Sequence, residues 1–187
     1  MTSVTQQTGP LQRSAVFLDR DGVINRRLPG AYVRTFDEFR FLWGARAGLR
    51  LLRDAGHLLI VFTNQRGIGR GLMSEADLDE VHRRMQAALA RAGAPLDAIL
   101  HCPHDLAVDC DCRKPRPGML VRAIECYGVD VARSWVVGDS LSDLEAGRAL
   151  GIPGILVAGR GAAVPPGVRS ARTLLAAARM IAAGGGR

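Results

Sequence analysis

Residues 15–25 read Ala-Val-Phe-Leu-Asp-Arg-Asp-Gly-Val-Ile-Asn. Four apolar residues stop abruptly at Asp19. An unbroken apolar run this short, followed at once by charge, predicts a buried strand over 15–18. Continuous apolar strands are the pattern of a parallel sheet covered on both faces. The same punctuation recurs along the chain and predicts further strands at 58–62, 98–101, 135–138 and 155–157. Between them lie helical stretches. One spans 45–55 and is stopped by Gly56. A second opens at Ser74, with Asp77 in the capping-box position, and runs to about residue 92. A third starts at Pro117 and reaches 126 or 127. A fourth covers 141–150, and a terminal helix covers 170–183. The alternation predicts an α/β fold, a doubly wound, mostly parallel, Rossmann-like sheet flanked by helices. The expected organisation is a flexible tail over 1–13 and one domain over 14–183. Loops 22–44 and 102–116 are long, but neither is large enough for a cap domain.

Ligands of such sheets sit beyond the carboxyl ends of the strands. Asp19-Arg20-Asp21-Gly22 follows the first strand and Thr63-Asn64-Gln65 the second. Arg113-Lys114-Pro115 follows the third-strand loop. Gly138-Asp139-Ser140 follows the fourth, with Asp143 four residues past Asp139. Taken singly, a DxD is a common loop motif and a Lys a common surface charge. Together they bring carboxylates, a hydroxyl, an amide and an ammonium to one edge, which is a set suited to phosphoryl transfer. A carboxylate can attack phosphorus. A divalent cation such as Mg²⁺ can offset the charge repulsion. A second carboxylate can pass the proton, while Thr and Lys hold the equatorial oxygens.

Composition agrees. The 187 residues are 48% hydrophobic, enough for a full core and too many for general disorder. No apolar run reaches about 18 residues, so no membrane span is expected. Residues 1–14 are polar, without the apolar region of a secretory signal, and a cytoplasmic protein is expected. The net charge of +7 comes from 24 Arg and one Lys against 18 acidic residues. No run of five like charges occurs, so the charge suits a phosphorylated small molecule better than a nucleic acid. No amphipathic helix is left without a core role, so a monomer is expected.

Cys102, His104, Cys110 and Cys112 fall within eleven residues. Three thiolates and one imidazole form a closed structural zinc set. A reduced surface cluster is the plain alternative, and a disulfide is disfavoured in a cytosolic chain. A loop of this length without secondary structure needs a staple. Zinc over 102–114 would fix the backbone that carries Arg113 and Lys114. Cys126 reads as a buried small hydrophobe, His82 as a solvated helix residue and His57 as a helix-end residue. His101 flanks the loop and is not read as a ligand.

Phe17-Leu-Asp-Arg-Asp-Gly-Val-Ile-Asn25, Thr63-Asn-Gln65, Cys112-Arg-Lys-Pro115 and Val137-Gly-Asp139 resemble the phosphatases of the haloacid dehalogenase superfamily, most closely its heptose bisphosphate branch. The resemblance covers roughly residues 14–160. It implies Asp19 as nucleophile and Asp21 as acid/base. It implies Mg²⁺ on Asp19, the Asp21 carbonyl and Asp139, and Thr63 and Lys114 as phosphoryl stabilisers. It implies zinc on the Cys/His loop. Substrate contacts are expected from Arg113, Asn64, Gln65 and Arg66, and from Arg27 and Tyr32 on the first loop. The implied reaction removes the C7 phosphate of a heptose 1,7-bisphosphate and keeps the anomeric phosphate for later nucleotide activation to ADP- or GDP-heptose. Where the family pattern usually has Lys after the metal-binding Asp, this chain has Ser140.

Two rival readings stand beside this one. A related histidinol-phosphate phosphatase branch shares the DxD, the zinc loop and the CRKP element, but Gly30-Ala-Tyr-Val33 looks more like the heptose branch. A zinc-stapled nucleic-acid-binding module would use the +7 charge, yet it leaves Asp19, Asp21 and Asp139 unexplained.

Overall fold

Ala15–Leu18 (β1) is buried at all four positions. It lies in the middle of a six-stranded sheet. The computed structural model describes residues 12–159 and 161–184. The chain continues through α1 (Ala45–Asp54), β2 (Leu58–Asn64), α2 (Glu75–Arg91), β3 (Ala98–Cys102), α3 (Gly118–Tyr127), β4 (Trp135–Gly138), α4 (Leu141–Arg148), β5 (Gly154–Val157), β6 (Ser170–Ala171) and α5 (Leu174–Ala182). The strand order is β3-β2-β1-β4-β5-β6, and every pair is parallel. The order reverses direction between β1 and β4. That reversal opens a crevice at the carboxyl ends of these two strands, where doubly wound sheets bind ligands.

Alternation along β1 divides the core. Val16 and Leu18 face one layer, packed with Leu49 and Leu52 of α1, Val81 and Met85 of α2, and Leu174 and Ile181 of α5. Ala15 and Phe17 face the other, packed with Met119, Leu120 and Ala123 of α3 and Ala146 of α4. Successive strand residues point to opposite faces, so a strand covered on both sides must be apolar throughout. The α2 capping box forms as expected: Ser74 Oγ accepts from the Asp77 N–H and the Asp77 carboxylate accepts from the Ser74 N–H.

Beyond shifts of one or two residues at the ends of α1, β3, α4 and β5, three boundaries differ from the sequence reading. β2 runs on to Asn64, because the register continues through Thr63 opposite His101 and Asn64 opposite Cys102. The terminal helix does not begin at 170. Ser170 and Ala171 instead pair with Leu156 and Val157 as an edge strand, and Thr173 caps α5 by accepting from the Ala176 N–H. Gln12 and Arg13 do not belong to a free tail. The Arg13 carbonyl accepts from Asp130 N–H at 3.0 Å, and the Gln12 carbonyl accepts from Arg133. The remainder of the expected tail, 1–11, lies outside the described residues.

The 22–44 loop is packed rather than loose. The Phe36 and Phe39 rings stack at 5.3 Å and Phe39 meets Phe41 edge-on at 4.9 Å. Val23, Ile24 and Val33 are buried in the first core layer. This anchoring holds Arg27 and Tyr32 beside the carboxyl ends of the strands.

Candidate active site

Asp19 is the first residue past β1, and its N–H donates to the Val137 carbonyl at 2.9 Å. The next element to reach it is the loop that follows β3. Lys114 Nζ sits 2.8 Å from Asp19 Oδ1 and 2.7 Å from Asp143 Oδ1, and it donates to the Phe62 carbonyl at 2.9 Å. The ammonium therefore uses three acceptors and is almost fully buried. Burial works against its charge, but Asp19 and Asp143 outweigh that and raise its pKa. Burial pushes the Asp19 carboxyl up to about 6; Lys114 opposes the rise, while Asp143 and Asp21 add to it. The Asp139 carboxyl is also raised, first by burial and then by Asp19, with Arg27 and Lys114 opposing.

Oxygens of Asp19, Asp139 and Asp143 all lie within 4.8 Å of one another. Both Asp143 oxygens are engaged, one by Lys114 and the other by the Ser140 N–H at 3.0 Å. Asp19 and Asp139 each engage a protein partner through one oxygen, Lys114 and Arg27, so these two carboxylates have the most to offer a cation. Excess negative charge on hard oxygen donors, with raised pKa values, fits a divalent cation such as Mg²⁺. Two glycines make room for this cluster. A Cβ on Gly22, whose φ is +92°, would fall 2.1 Å from Asp139 Oδ2, and one on Gly138 would fall 2.3 Å from the Asp143 carboxylate.

Asp21 sits in a cradle of donors. Arg20 Nη2 reaches its two oxygens at 2.8 and 3.1 Å, Asn25 Nδ2 donates at 2.8 Å and Gln65 Nε2 at 2.9 Å. Burial raises the Asp21 pKa, but the Arg20 charge and the bonds from Asn25, Gln65 and Arg20 together lower it.

A cleft of about 420 Å³ opens above these groups. Asp19, Asp21, Arg27, Tyr32, Thr63, Asn64, Arg66, Lys114 and Asp139 line it, as do Asp143, which the sequence brought to this edge without a role, and Arg70, which it did not single out. Thr63 Oγ accepts from Gln65 Nε2 at 2.9 Å, which leaves its proton to be donated to a ligand. Asn64 spans the Lys114 peptide, with Oδ1 accepting from its N–H at 3.2 Å and Nδ2 donating to its carbonyl at 3.4 Å. Gln65 lies buried behind the cleft. Arg66 pairs with Asp105 of the cysteine loop. Arg27 Nη1 lies 3.2 Å from Asp139 Oδ2. Arg113 is not part of the lining: its guanidinium donates to the His104 carbonyl. Ser140 caps α4 by accepting from the Ser142 N–H, so its position serves the helix that carries Asp143.

The role of Asp143 could have been read from sequence. Ser140-Leu-Ser-Asp143 has the capping-box spacing, and such a box turns the N3 carboxylate back over the helix start. Arg70 carried no comparable signal among 24 Arg.

Cys102, His104, Cys110 and Cys112 converge, with all four ligand atoms within 4.8 Å of one another. Cys102 Sγ is 3.7 Å from Cys110 Sγ and 3.6 Å from His104 Nδ1, and His104 Nδ1 is 3.2 Å from Cys112 Sγ. A zinc tetrahedron with bonds of about 2.3 Å to sulfur and about 2.0 Å to nitrogen has S–S edges of about 3.8 Å and S–N edges of about 3.5 Å. Burial pushes the Cys112 thiol up to about 12, with the neighbouring sulfurs adding to the rise. A cation is what would make thiolates favourable there, and the donor set fits zinc. Substituting Cys110→Ser is expected to lower bound zinc from about one per chain, read by metal analysis, and to reduce kcat more than thermal stability. Full zinc in that variant would contradict the assignment.

Two other expectations change. Cys126 is exposed, because α3 turns Met119, Leu120 and Ala123 toward the sheet. His82 is only 7% exposed, because α2 turns it inward onto Arg20. His57 is the helix-end residue expected: its N–H donates to the Leu52 carbonyl at 3.2 Å just past α1, and its ring shares a hydrogen bond of 2.8 Å with Ser14. His101 stays outside the metal cluster and pairs with Glu75 at 2.8 Å.

A family model described as HAD-hydrolase-like matches residues 111–177. A D-glycero-beta-D-manno-heptose-1,7-bisphosphate 7-phosphatase of Rhodopseudomonas palustris is 43% identical over 150 residues, which is 76% of this chain and 82% of that protein. A D-glycero-alpha-D-manno-heptose-1,7-bisphosphate 7-phosphatase of Mycobacterium bovis is 47% identical over 131 residues, covering 70% of this chain and 69% of that one. A crystal structure of D,D-heptose 1,7-bisphosphate phosphatase from B. bronchiseptica, complexed with magnesium and phosphate, superposes with a TM-score of 0.84. That chain is 37% identical, and the match covers 91% of this chain and 99% of the other. With this degree of identity over most of both chains, and with the Asp, Thr and Lys groups gathered at one sheet edge, the chain belongs to the heptose-1,7-bisphosphate 7-phosphatases, hydrolases of the HAD superfamily.

Proposed function

We propose that the chain hydrolyses the C7 phosphate of D-glycero-D-manno-heptose 1,7-bisphosphate and releases heptose 1-phosphate and inorganic phosphate. The observation that carries this reading is the buried Lys114 ammonium between Asp19 and Asp143 on the floor of the cleft. Asp19 Oδ1 is held by Lys114, which leaves its other oxygen to attack phosphorus. The phosphorus–oxygen bond to the sugar breaks as the aspartyl phosphate forms, and Asp21, ionised in the free enzyme, passes the proton that enters with the phosphate monoester to the departing sugar oxygen. Asp21 then takes a proton from the water that attacks the aspartyl phosphate. The phosphorus–oxygen bond to Asp19 breaks and phosphate leaves. Thr63 donates to an equatorial oxygen, and the positive charge of Lys114 stabilises the charge that builds up there.

Mg²⁺, when bound, offsets the negative charge that the phosphate and the carboxylates bring together. Asp19, Asp139 and the Asp21 carbonyl would hold it. Zinc on Cys102, His104, Cys110 and Cys112 would staple the 102–114 loop, so that Asn64 and the loop together set the Lys114 backbone. Arg27, Tyr32, Arg66 and Arg70 form the rim where the sugar and its second phosphate would lie. Arg113 would support the rim through the His104 carbonyl. Every group in this scheme comes from one chain, which suits a monomer. Among the described residues no helix is long and apolar enough to cross a membrane.

The test compares kcat/KM for the α and β anomers of the heptose bisphosphate with histidinol phosphate and fructose 1,6-bisphosphate. One heptose anomer is expected to lead the others by at least tenfold; equal or higher values for histidinol phosphate would overturn the substrate assignment. Asp21→Asn is expected to reduce kcat by about 10²–10⁴-fold, the usual worth of general acid–base help. A rate near that of the unsubstituted enzyme would remove Asp21 from the scheme.

A further inference from the structure

Arg20 is the largest fully buried side chain of the described residues, at 0% exposure. A buried guanidinium is costly unless its donors are met. Those of Arg20 are met from one side by the active site. Nη2 binds both oxygens of Asp21 and lies 3.2 Å from Gln65 Oε1. Gln65 Nε2 in turn donates to Asp21 and to Thr63 Oγ. From the other side stands His82 of α2, whose Nε2 is 3.1 Å from Arg20 Nη1. Guanidinium only donates, so His82 Nε2 must be the acceptor and the ring must be neutral with its proton on Nδ1. Burial first, and then the Arg20 charge and His101, push the His82 pKa down to about 3, in keeping with a neutral ring. Arg20 Nε has no hydrogen-bond partner among the described residues. Leaving such a donor unmet costs stability.

We propose that His82 and Arg20 are positioning residues: the imidazole of α2 fixes the plane of the Arg20 guanidinium, and that plane sets the orientation of the Asp21 carboxylate and the Gln65 amide. The inference rests on Asp21 being the acid/base of the proposed reaction. It ties a residue 62 positions away in sequence to the proton-transfer group, with no contact between His82 and the cleft.

The test uses the metal-loaded enzyme and heptose 1,7-bisphosphate. His82→Leu removes the acceptor at similar bulk; His82→Gln keeps an oxygen acceptor at about the place of Nε2. His82→Met repeats the acceptor loss with a flexible stem should the Leu variant not fold. His82→Leu is expected to reduce kcat roughly tenfold or more with KM changed less than twofold, since small misplacements of reacting groups carry losses of that order. His82→Gln is expected to recover most of the rate. In an Asp21→Asn background, His82→Leu should cost much less, because most of its effect passes through Asp21 and only the remainder through Gln65 and Thr63. Equal losses for Leu and Gln would mean packing alone and would overturn the proposal. So would a Leu variant with normal kcat, or a full additional loss in the Asp21→Asn background. A normal rate for Asp21→Asn itself would instead refute the acid/base assignment, so the two failures are separable.

Discussion

Asp19→Asn is expected to lose turnover by about 10³-fold or more, with the fold and zinc content intact. Removing a nucleophile takes away the covalent route, leaving only binding and electrostatic help. The amide nearly matches the carboxylate in shape, and Asn Oδ1 can still accept from Lys114. It cannot form the aspartyl phosphate. The change also lowers the negative charge facing Asp139, so Mg²⁺ binding should weaken as well. Rates should therefore be read at saturating Mg²⁺. Residual activity above about 1% of the unsubstituted rate would count against Asp19 as nucleophile, since in-line attack by water would then be nearly as good.

Lys114→Arg is expected to reduce kcat by about 10²-fold or more, the order lost when one charge-stabilising donor is removed. Composition alone makes the exchange look harmless, because Arg outnumbers Lys 24 to one. The geometry says otherwise. The ammonium is a point charge shared among Asp19, Asp143 and the Phe62 carbonyl, and it lies 4.4 Å from the Phe62 ring centroid. A guanidinium is planar and wider, and its fork suits one carboxylate rather than two and a carbonyl. Lys114→Met should in addition destabilise the protein by about 3–5 kcal/mol, because it leaves Asp19 and Asp143 buried without their cation. Measuring kcat and zinc content of Lys114→Arg together decides the matter. Full zinc with a collapsed kcat supports the phosphate-clamp role, and full zinc with a normal kcat refutes it.

The central strands were legible because each is an apolar run cut off by a charged or polar residue, as Leu18 is by Asp19. β6 was not, because two residues at a sheet edge make no run, and only the pairing with Leu156 and Val157 defines them. The groups of the candidate site were legible as a set because parallel strands deliver their carboxyl ends to one edge. Their directions were not. Arg113 and Lys114 are neighbours in sequence, yet one turns to the His104 carbonyl and the other to Asp19. Sequence adjacency says nothing about which side of a loop a side chain takes. His82 lies in a run with Glu80, Arg83 and Arg84, which reads as a solvated face. Its burial follows from helical spacing with Leu78, Val81 and Met85, and from Arg20 meeting it across the layer. Asp143 was noticed four residues after Asp139, but its bond to Lys114 depends on how the Ser140 cap turns the start of α4.

The most direct measurement is ³¹P NMR of the reaction on heptose 1,7-bisphosphate with Mg²⁺ present, followed by chelation and Mg²⁺ re-addition. The account predicts loss of the C7 phosphomonoester signal, growth of inorganic phosphate and an unchanged anomeric phosphate signal, with turnover stopped by the chelator and restored by Mg²⁺. Loss of the anomeric phosphate, or turnover indifferent to Mg²⁺, would contradict it.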